Sequence, residues 1–239
     1  MTTVTPYTKT EGKKKQVTKM FDKIARSYDF LNHTLSFGMD NIWRKIAIKK
    51  LTNNPSSILD IATGTADFAI SASKYTKANI TGIDISQGML DIGNQKITKK
   101  GLADRINLEL ADSEELPFDN DSFDALTAGF GVRNFEDLNK GLSEMHRTLK
   151  SAGIVVILEP AEPTSFPLKQ FYNLYFHYIL PTIGSWISKD KNAYKYLPES
   201  VAVFPSGNKF IAKLEKAGFK ECKYFPLTFG IVSLYVAIK

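Results

Sequence analysis

Cysteine is all but absent from this 239-residue chain. Cys222 stands alone, which excludes an internal disulfide, and the opening Met1-Thr2-Thr3-Val4 lacks the charged-then-apolar pattern of a secretory signal. Both features lead to the expectation of a cytoplasmic protein. Long hydrophobic runs are also missing: the most apolar stretch, Phe166 to Trp186, is interrupted by Lys169, Asn173 and His177 and broken by Pro181 and Gly184, too short and polar to span a bilayer comfortably. The histidines, His33, His146 and His177, share no ligand spacing, so no metal is expected. Arginine-rich tracts and nucleic-acid signatures do not occur, so no nucleic acid is expected as a partner despite a net charge of +6. Much of that charge is local, since Lys9, Lys13, Lys14, Lys15, Lys19 and Lys23 crowd the amino end, either as a solvated face or as a patch for anionic lipid.

What is present is an alternation of strands and helices. With 43% hydrophobic residues the chain is long enough for one large α/β domain. Residues 1–14 read as a disordered polar tail and 15–239 as a single domain, with a helical cap over 15–51 and an inserted helical lid over 160–200. Val17, Met20, Phe21, Ile24, Tyr28 and Leu31 recur at helical spacing. A second helical pattern follows from Asp40 to Leu51. Strands are predicted at Ser57 to Ala62, Asn79 to Asp84, Ile106 to Ala111, Phe123 to Phe130 and Ile154 to Glu159, with intervening helices at Asp67 to Tyr75, Gln87 to Lys100 and Glu136 to Leu149. Ser86 is the expected N-cap of the second of these. A helix from Gly207 to Ala217 precedes two runs, Cys222 to Phe225 and Val232 to Ile238, that pair as an antiparallel edge hairpin. The pattern is a doubly wound, mostly parallel Rossmann-like sheet. The aromatic stretch from Phe166 reads either as a pocket lid or as an ordinary core helix.

Such sheets gather function past the carboxyl ends of their strands. Thr63-Gly64-Thr65 follows the first strand, Asp84 ends the second, and Asp112-Ser113 follows the third. An acidic residue ending the second strand accepts hydrogen bonds from ribose hydroxyls, and Asp112-Ser113 offers a carboxylate and an amide suited to adenine. The loop lacks Gly-x-Gly-x-x-Gly, retaining Gly64 only, and Asp67 and Asp60 lie where a pyrophosphate would be repelled. Those charges favour a cationic adenosine ligand, S-adenosyl-L-methionine, over NAD.

Three segments of the chain resemble a known group. Asp60-Ile61-Ala62-Thr63-Gly64-Thr65-Ala66-Asp67, Gly82 to Leu90 and Ala111 to Phe118 look like the successive motifs of class I methyltransferases. Lys19 to Asp29, Asn32, Leu35 to Gly38, Trp43-Arg44, Gly129 to Asn134, Tyr196 to Val201 and Phe204-Pro205 resemble the menaquinone and ubiquinone biosynthesis C-methyltransferases. The family usually has glycine where Ala66 stands and commonly serine where Gly129 stands.

The resemblance implies that Thr65, with Asp84, Asp112 and Ser113, binds S-adenosyl-L-methionine. It implies C-methylation of a prenylated quinol, demethylmenaquinol to menaquinol, with 2-methoxy-6-polyprenyl-1,4-benzoquinol as the alternative substrate. Arg133 is then the candidate cation beside the reacting ring, or else a surface or helix-start residue, and Asn134 a further contact or a helix cap. Tyr28 and His33 are candidate bases or merely structural. The expected partners are the prenylated quinol, the inner face of the membrane at its periphery, and a second copy of the chain as a homodimer. An RNA methyltransferase, an NAD-dependent oxidoreductase and a non-catalytic adenosine-binding module are the rival readings.

Overall fold

The buried run Ile58 to Ile61 forms the middle of the sheet. In the computed structural model, which describes residues 4–8, 10–176 and 190–239, β1 (Ser57–Ile61) lies between β2 (Asn79–Asp84) and β4 (Phe123–Gly129), parallel to both. β3 (Ile106–Leu110), β5 (Leu149–Pro160), β6 (Lys220–Leu227) and β7 (Val232–Ile238) complete a seven-stranded sheet ordered β3-β2-β1-β4-β5-β7-β6. β7 runs antiparallel to both of its neighbours, as the expected C-terminal hairpin requires. Reversal of strand order between β1 and β4 opens a crevice at their carboxyl ends.

Alternate side chains along β1 feed two different cores. Ile58 packs with Trp43, Ala47, Phe68 and Ile97 on one face, whereas Leu59 and Ile61 pack with Ile83, Leu142 and Phe210 on the other. The first face is covered by α2 (Met39–Ile48) and α3 (Asp67–Tyr75), with α4 (Gln87–Lys99) beyond them. The second is covered by α5 (Leu138–Thr148) and the helix that precedes β6. Ser86 caps α4 as expected, its hydroxyl accepting from the Met89 amide. Asp137, rather than Asn134, caps α5.

A third cluster lies outside the sheet. α1 (Lys13–Leu35) packs Val17, Met20, Ile24 and Leu31 against Met89 of α4 and against Ala193 and Tyr196. The helix is longer at both ends than its apolar spacing predicts. At its carboxyl end the Ser36 and Gly38 amides donate to the Asn32 and His33 carbonyls, closing the last turn. At its amino end Lys13 and Lys14 are already helical, where the sequence predicts a tail running to residue 14. The described residues before it are held: Gln16, fully buried, accepts from the Tyr7 and Thr8 amides, and the Tyr7 hydroxyl donates to Asp190. Of the predicted lid, α6 (Leu168–Leu174) and α7 (Lys191–Val203) are seen, followed by α8 (Asn208–Lys216). His177, Tyr178, Pro181, Gly184 and Trp186 lie outside the described residues. Among the described residues, no helix is long and apolar enough to cross a membrane.

Tight loops at the strand ends shape the crevice. Ala62, Gly64 and Ala66 all have positive φ (50°, 57° and 66°), so the chain after β1 winds through the left-handed region three times in five residues. Gly131, past β4, lies so close to this loop that a Cβ there would sit 2.5 Å from the Ala62 Cβ. Gly131→Ala should therefore destabilise the fold by about 1–3 kcal/mol through forced separation of the two loops. Adding Ala62→Gly, which removes the clashing methyl, should recover part of that loss. Chemical denaturation of the two single variants and the double reads this directly, and strict additivity would show that the loops do not touch.

Candidate active site

Two adjoining cavities open at the carboxyl ends of β1, β2 and β4. The narrower, about 60 Å³, is lined by Gly64, Asp84, Asp112, Ser113 and Tyr28. The wider, about 410 Å³, is mainly apolar and is walled by α1, α2, α6 and α7, with Tyr28 and Arg133 among its polar groups. Phe21, Tyr28 and Phe130 line both, so a group bound in one cavity meets a group bound in the other there.

In the narrow cleft the Asp84 carboxylate is fixed by its neighbours' backbone. One oxygen accepts from the Gly64 amide at 2.8 Å and the other from the Ser86 amide at 2.9 Å. Burial pushes its carboxyl up to about 6 despite those hydrogen bonds. Gly64 has open space where a Cβ would be, so a ligand can approach bare backbone there. Below the loop, Asp60 is also pushed up to about 6 by burial, and it accepts from Thr63 and Thr127 hydroxyls at 2.6 Å each. Asp112 binds the Lys14 ammonium at 2.6 Å, while Ser113 is buried beside it.

Two of the expected site residues are placed elsewhere. Thr65 lines neither cavity: its hydroxyl donates to Asp29 of α1 and accepts from Lys96 of α4, which also binds Asp67. The positive φ at Gly64 and Ala66 turns it away from the cleft and into this polar cluster. His33 likewise lines neither cavity. Its Nδ1 meets Asp40 at 2.6 Å and its Nε2 lies 3.5 Å from Asp67, so the ring bridges two carboxylates on α2 and α3. These three could group around a cation, but the Arg44 guanidinium on Asp40 and the Lys96 ammonium on Asp67 already supply the positive charge.

Tyr28 and Arg133 do reach the site. Burial pushes the Tyr28 hydroxyl above its ordinary value, against the pull of Arg133. Arg133 lies in a 3-10 turn (Val132–Asn134), where its guanidinium binds Glu159 at 3.0 Å and Ser200 at 3.3 Å. Asn134 lines the narrow cleft and accepts from the Tyr196 hydroxyl at 3.1 Å.

Four residues of α1 tie the site together, and the sequence reading passes over their roles. Lys13 donates to the Arg133 and Phe135 carbonyls past β4, and Lys14 pairs with Asp112 and Glu114 past β3. Asp22 accepts from the Ser86 hydroxyl and the Gly88 amide past β2. Asp29 grips Thr65 past β1. The seven-residue spacing of Asp22 and Asp29, two helical turns on one face, is the signal in the sequence that points to them. Lysines in a first helical turn oppose the helix dipole, so their pairing with the strand-end loops offsets an unfavourable position.

Residues 9–239 match the ubiE/COQ5 methyltransferase family. The chain belongs to that family. It is 46% identical over 238 residues to the demethylmenaquinone methyltransferase of Bacteroides fragilis, covering 99% of this chain and 97% of that one. It is also 46% identical over 230 residues to the ubiquinone/menaquinone biosynthesis C-methyltransferase UbiE of Geotalea daltonii, covering 95% and 97%. Among solved structures, a putative S-adenosyl-L-methionine-dependent methyltransferase of Methanococcus maripaludis superposes with a TM-score of 0.65 at 21% identity, over 92% of this chain and 93% of that one. The sheet is thus the class I methyltransferase sheet that the motifs suggest. Serine, common in the family where Gly129 stands, has no room here, because a Cβ would lie 2.9 Å from the Phe68 ring.

The raised carboxyls of Asp84 and Asp60 give opposite pH trends for stability and binding. Each group has a folded value of about 6 against an ordinary value of 3.8, so its stabilising contribution is full below that lower value and is lost as pH rises through about 6. Thermal unfolding of the ligand-free protein should therefore show a loss of stability across this window. Cofactor affinity should instead fall as pH drops through about 6, because ribose hydroxyls need an ionised acceptor. Asp84→Ala should weaken binding by roughly 1–3 kcal/mol and flatten its pH dependence in calorimetric titrations. Unchanged affinity would remove Asp84 from the site.

Proposed function

We propose that this protein uses S-adenosyl-L-methionine to methylate a ring carbon of a prenylated hydroquinone, converting demethylmenaquinol to menaquinol. The names of the relatives support the substrate, and the polar groups lining the narrow cleft support the cofactor. Asp84 offers a fixed carboxylate for a diol, Asp112 and Ser113 offer an acceptor and an amide for adenine, and the open backbone at Gly64 leaves room beside them. Asp84, Asp112 and Glu114 outnumber Lys14 there, which suits a cationic ligand. The bound cofactor supplies a methyl group on a sulfonium that departs as a neutral thioether. The wide chamber receives the quinol, with its apolar walls along the prenyl chain.

What makes the ring carbon nucleophilic is ionisation of a phenol, and the chamber's charges favour a cation over a base for that task. Among the described residues lining it, Asp40 is the sole carboxylate. Although burial opposes it, the Arg44 charge, with hydrogen bonds from Arg44 and Ser36, holds that carboxyl below its ordinary range, where it is a weak base. Tyr28, Tyr172 and Tyr196 are all pushed up by burial and keep their protons. Arg133 lines the wide chamber, bound to the carbonyl of Phe130, which lines both cavities, and stabilises the phenolate, while Tyr28 donates a hydrogen bond rather than removing a proton. Methylation replaces the ring proton, which, like the proton of the phenol, is released to solvent water, since no described group lining the chamber is a strong base.

The protein works in the cytosol and meets its substrate at the inner face of the membrane. Exposed phenylalanines from three distant segments support that docking: Phe37 on the α1–α2 turn and Phe171 on α6 line the wide chamber, and Phe229 stands between Thr228 and Ile231, which also line it. Exposed Lys169 and the net charge of +6 suit an anionic surface. A homodimer remains the expectation for its assembly.

Incubation with labelled S-adenosyl-L-methionine and a short-chain demethylmenaquinol should yield C-methylated quinol. Cofactor binding without product would remove the enzymatic reading, and product from RNA instead of quinol would replace the substrate. Co-sedimentation with vesicles containing anionic lipid should drop severalfold in the Phe229→Ser variant, whose exposed side chain lies outside the chamber lining, while turnover of the short-chain quinol persists. Undiminished sedimentation would place the docking face elsewhere.

A further inference from the structure

Glu159 is the next-to-last residue of β5, near a strand end as Asp84 is, yet the reaction described so far makes no use of it. Its side chain is 0% exposed and that of Arg133 is 7% exposed. One carboxylate oxygen accepts from the Arg133 Nη1 at 3.0 Å and the other from the Arg133 amide at 3.3 Å. The Arg133 guanidinium also donates to the Phe130 carbonyl and to Ser200 Oγ. A buried pair of this kind contributes little net stability, because desolvation consumes most of the attraction and a well-packed apolar pair serves the fold as well. A gain in stability is thus a poor reason for its presence, and its position at the chamber wall suggests a better one.

The geometry points to Glu159 as a positioning residue for methyl transfer, which fixes the Arg133 guanidinium at the chamber wall and offsets part of its charge on the bound quinol. This rests on the reading of Arg133 as the cation that favours the phenolate. The two partners should then act on quinol ionisation with opposite signs. Loss of the positive charge makes the phenolate harder to form, whereas loss of the negative charge makes it easier.

Other charged and titratable groups around Arg133 define how a pH profile is read. Lys13 and Tyr28 face it from α1, Arg44 lies in the same chamber on α2, and Tyr172 and Tyr196 face it from α6 and α7, with Glu162 acting on Tyr172. The tyrosines keep their protons at neutral pH. Lys13 is lowered to about 8 by burial and by the Arg133 charge, so the acid limb of the profile is read below that value.

Steady-state turnover of a short-chain demethylmenaquinol across pH, with calorimetric cofactor binding and thermal unfolding as separate readouts, tests the assignment. Arg133→Ala should move the acid limb of kcat to higher pH and lower the plateau roughly 100-fold. Glu159→Gln should move that limb to lower pH by about one unit and lower the plateau roughly tenfold, through a less fixed guanidinium. KM for quinol and affinity for cofactor should change little. Glu159→Asp keeps the charge, so its limb should stay with the parent and part of the plateau should return. Ser200→Ala, which removes one hold on Arg133 but no charge, should lower the plateau without moving the limb, and it stands in if Glu159→Gln fails to fold. A Glu159→Gln limb at the parental pH, or an unchanged plateau in Ser200→Ala, would reduce Glu159 to a structural brace. An unmoved limb in Arg133→Ala would instead overturn the role of Arg133 itself.

Discussion

The candidate active site depends on one helix lying across the ends of four strands. α1 has few other reasons to sit there: it adds nothing to the sheet, and its own apolar stripe packs mainly on α4 and α7. What fixes its register is a series of charged contacts, from Lys13 and Lys14 at one end to Asp22 and Asp29 farther along. Each grips the loop after a different strand. Any single exposed ion pair is worth little, but here four contacts share one rigid rod, so the loops are held at fixed separations. Met20, Phe21, Ile24 and Tyr28, carried on the same helix, wall the wide chamber. One helix therefore both covers the narrow cleft and walls the wide chamber.

This arrangement also explains why the two cavities differ so much in character. The narrow cleft is built from strand-end loops, whose backbone amides and short acidic side chains recognise polar groups. The wide chamber is built from helices, whose side chains are long and apolar, and its few charges are already paired: Arg133 with Glu159, Arg44 with Asp40. Pairing costs those cations part of their field but keeps them buried and immobile, and an immobile charge in a dry cavity acts on a phenol more strongly than a solvated one. Phe21 and Phe130 make part of the boundary between the two cavities apolar.

Much of this was legible from residues alone. The β1 run, Asp84, the Ser86 cap and the C-terminal hairpin all follow from local rules of burial, periodicity and capping, and the doubly wound class follows from their alternation, whereas the order of the strands does not. Gly64, Asp84, Asp112 and Ser113 meet in one cleft because strand ends of a parallel sheet converge. Thr65 and His33 line neither cavity, and the sequence does not reveal it. Proximity in sequence to a site residue does not decide which way a side chain points, and the left-handed turns around Thr65 aim it at Asp29. Glu159 was visible only as a strand end, because its partner is 26 residues away and no local pattern pairs them. The lysines of the first α1 turn read as tail charge, since the carbonyls that Lys13 binds and the carboxylate that Lys14 binds lie about a hundred residues on.

Ala66 shows how a departure from a motif is absorbed. It stands at φ 66°, ψ 20°, a conformation that costs a non-glycine residue about 1–2 kcal/mol. Its methyl is fully buried, worth about 0.8 kcal/mol, and alanine narrows the unfolded ensemble relative to glycine by about 0.4–1 kcal/mol more. The gains and the strain nearly cancel. The methyl faces Gly93 of α4, where an added Cβ would reach ordinary contact with it at 3.4 Å. The bend itself does not rely on glycine at 66, since the Thr63 amide donates to the Ile83 carbonyl, the Ala66 amide to the Thr63 carbonyl, and the Gly64 amide to the Asp84 carboxylate. Those bonds set the loop from both sides, so the cleft keeps the shape that a glycine-rich version would reach with less strain.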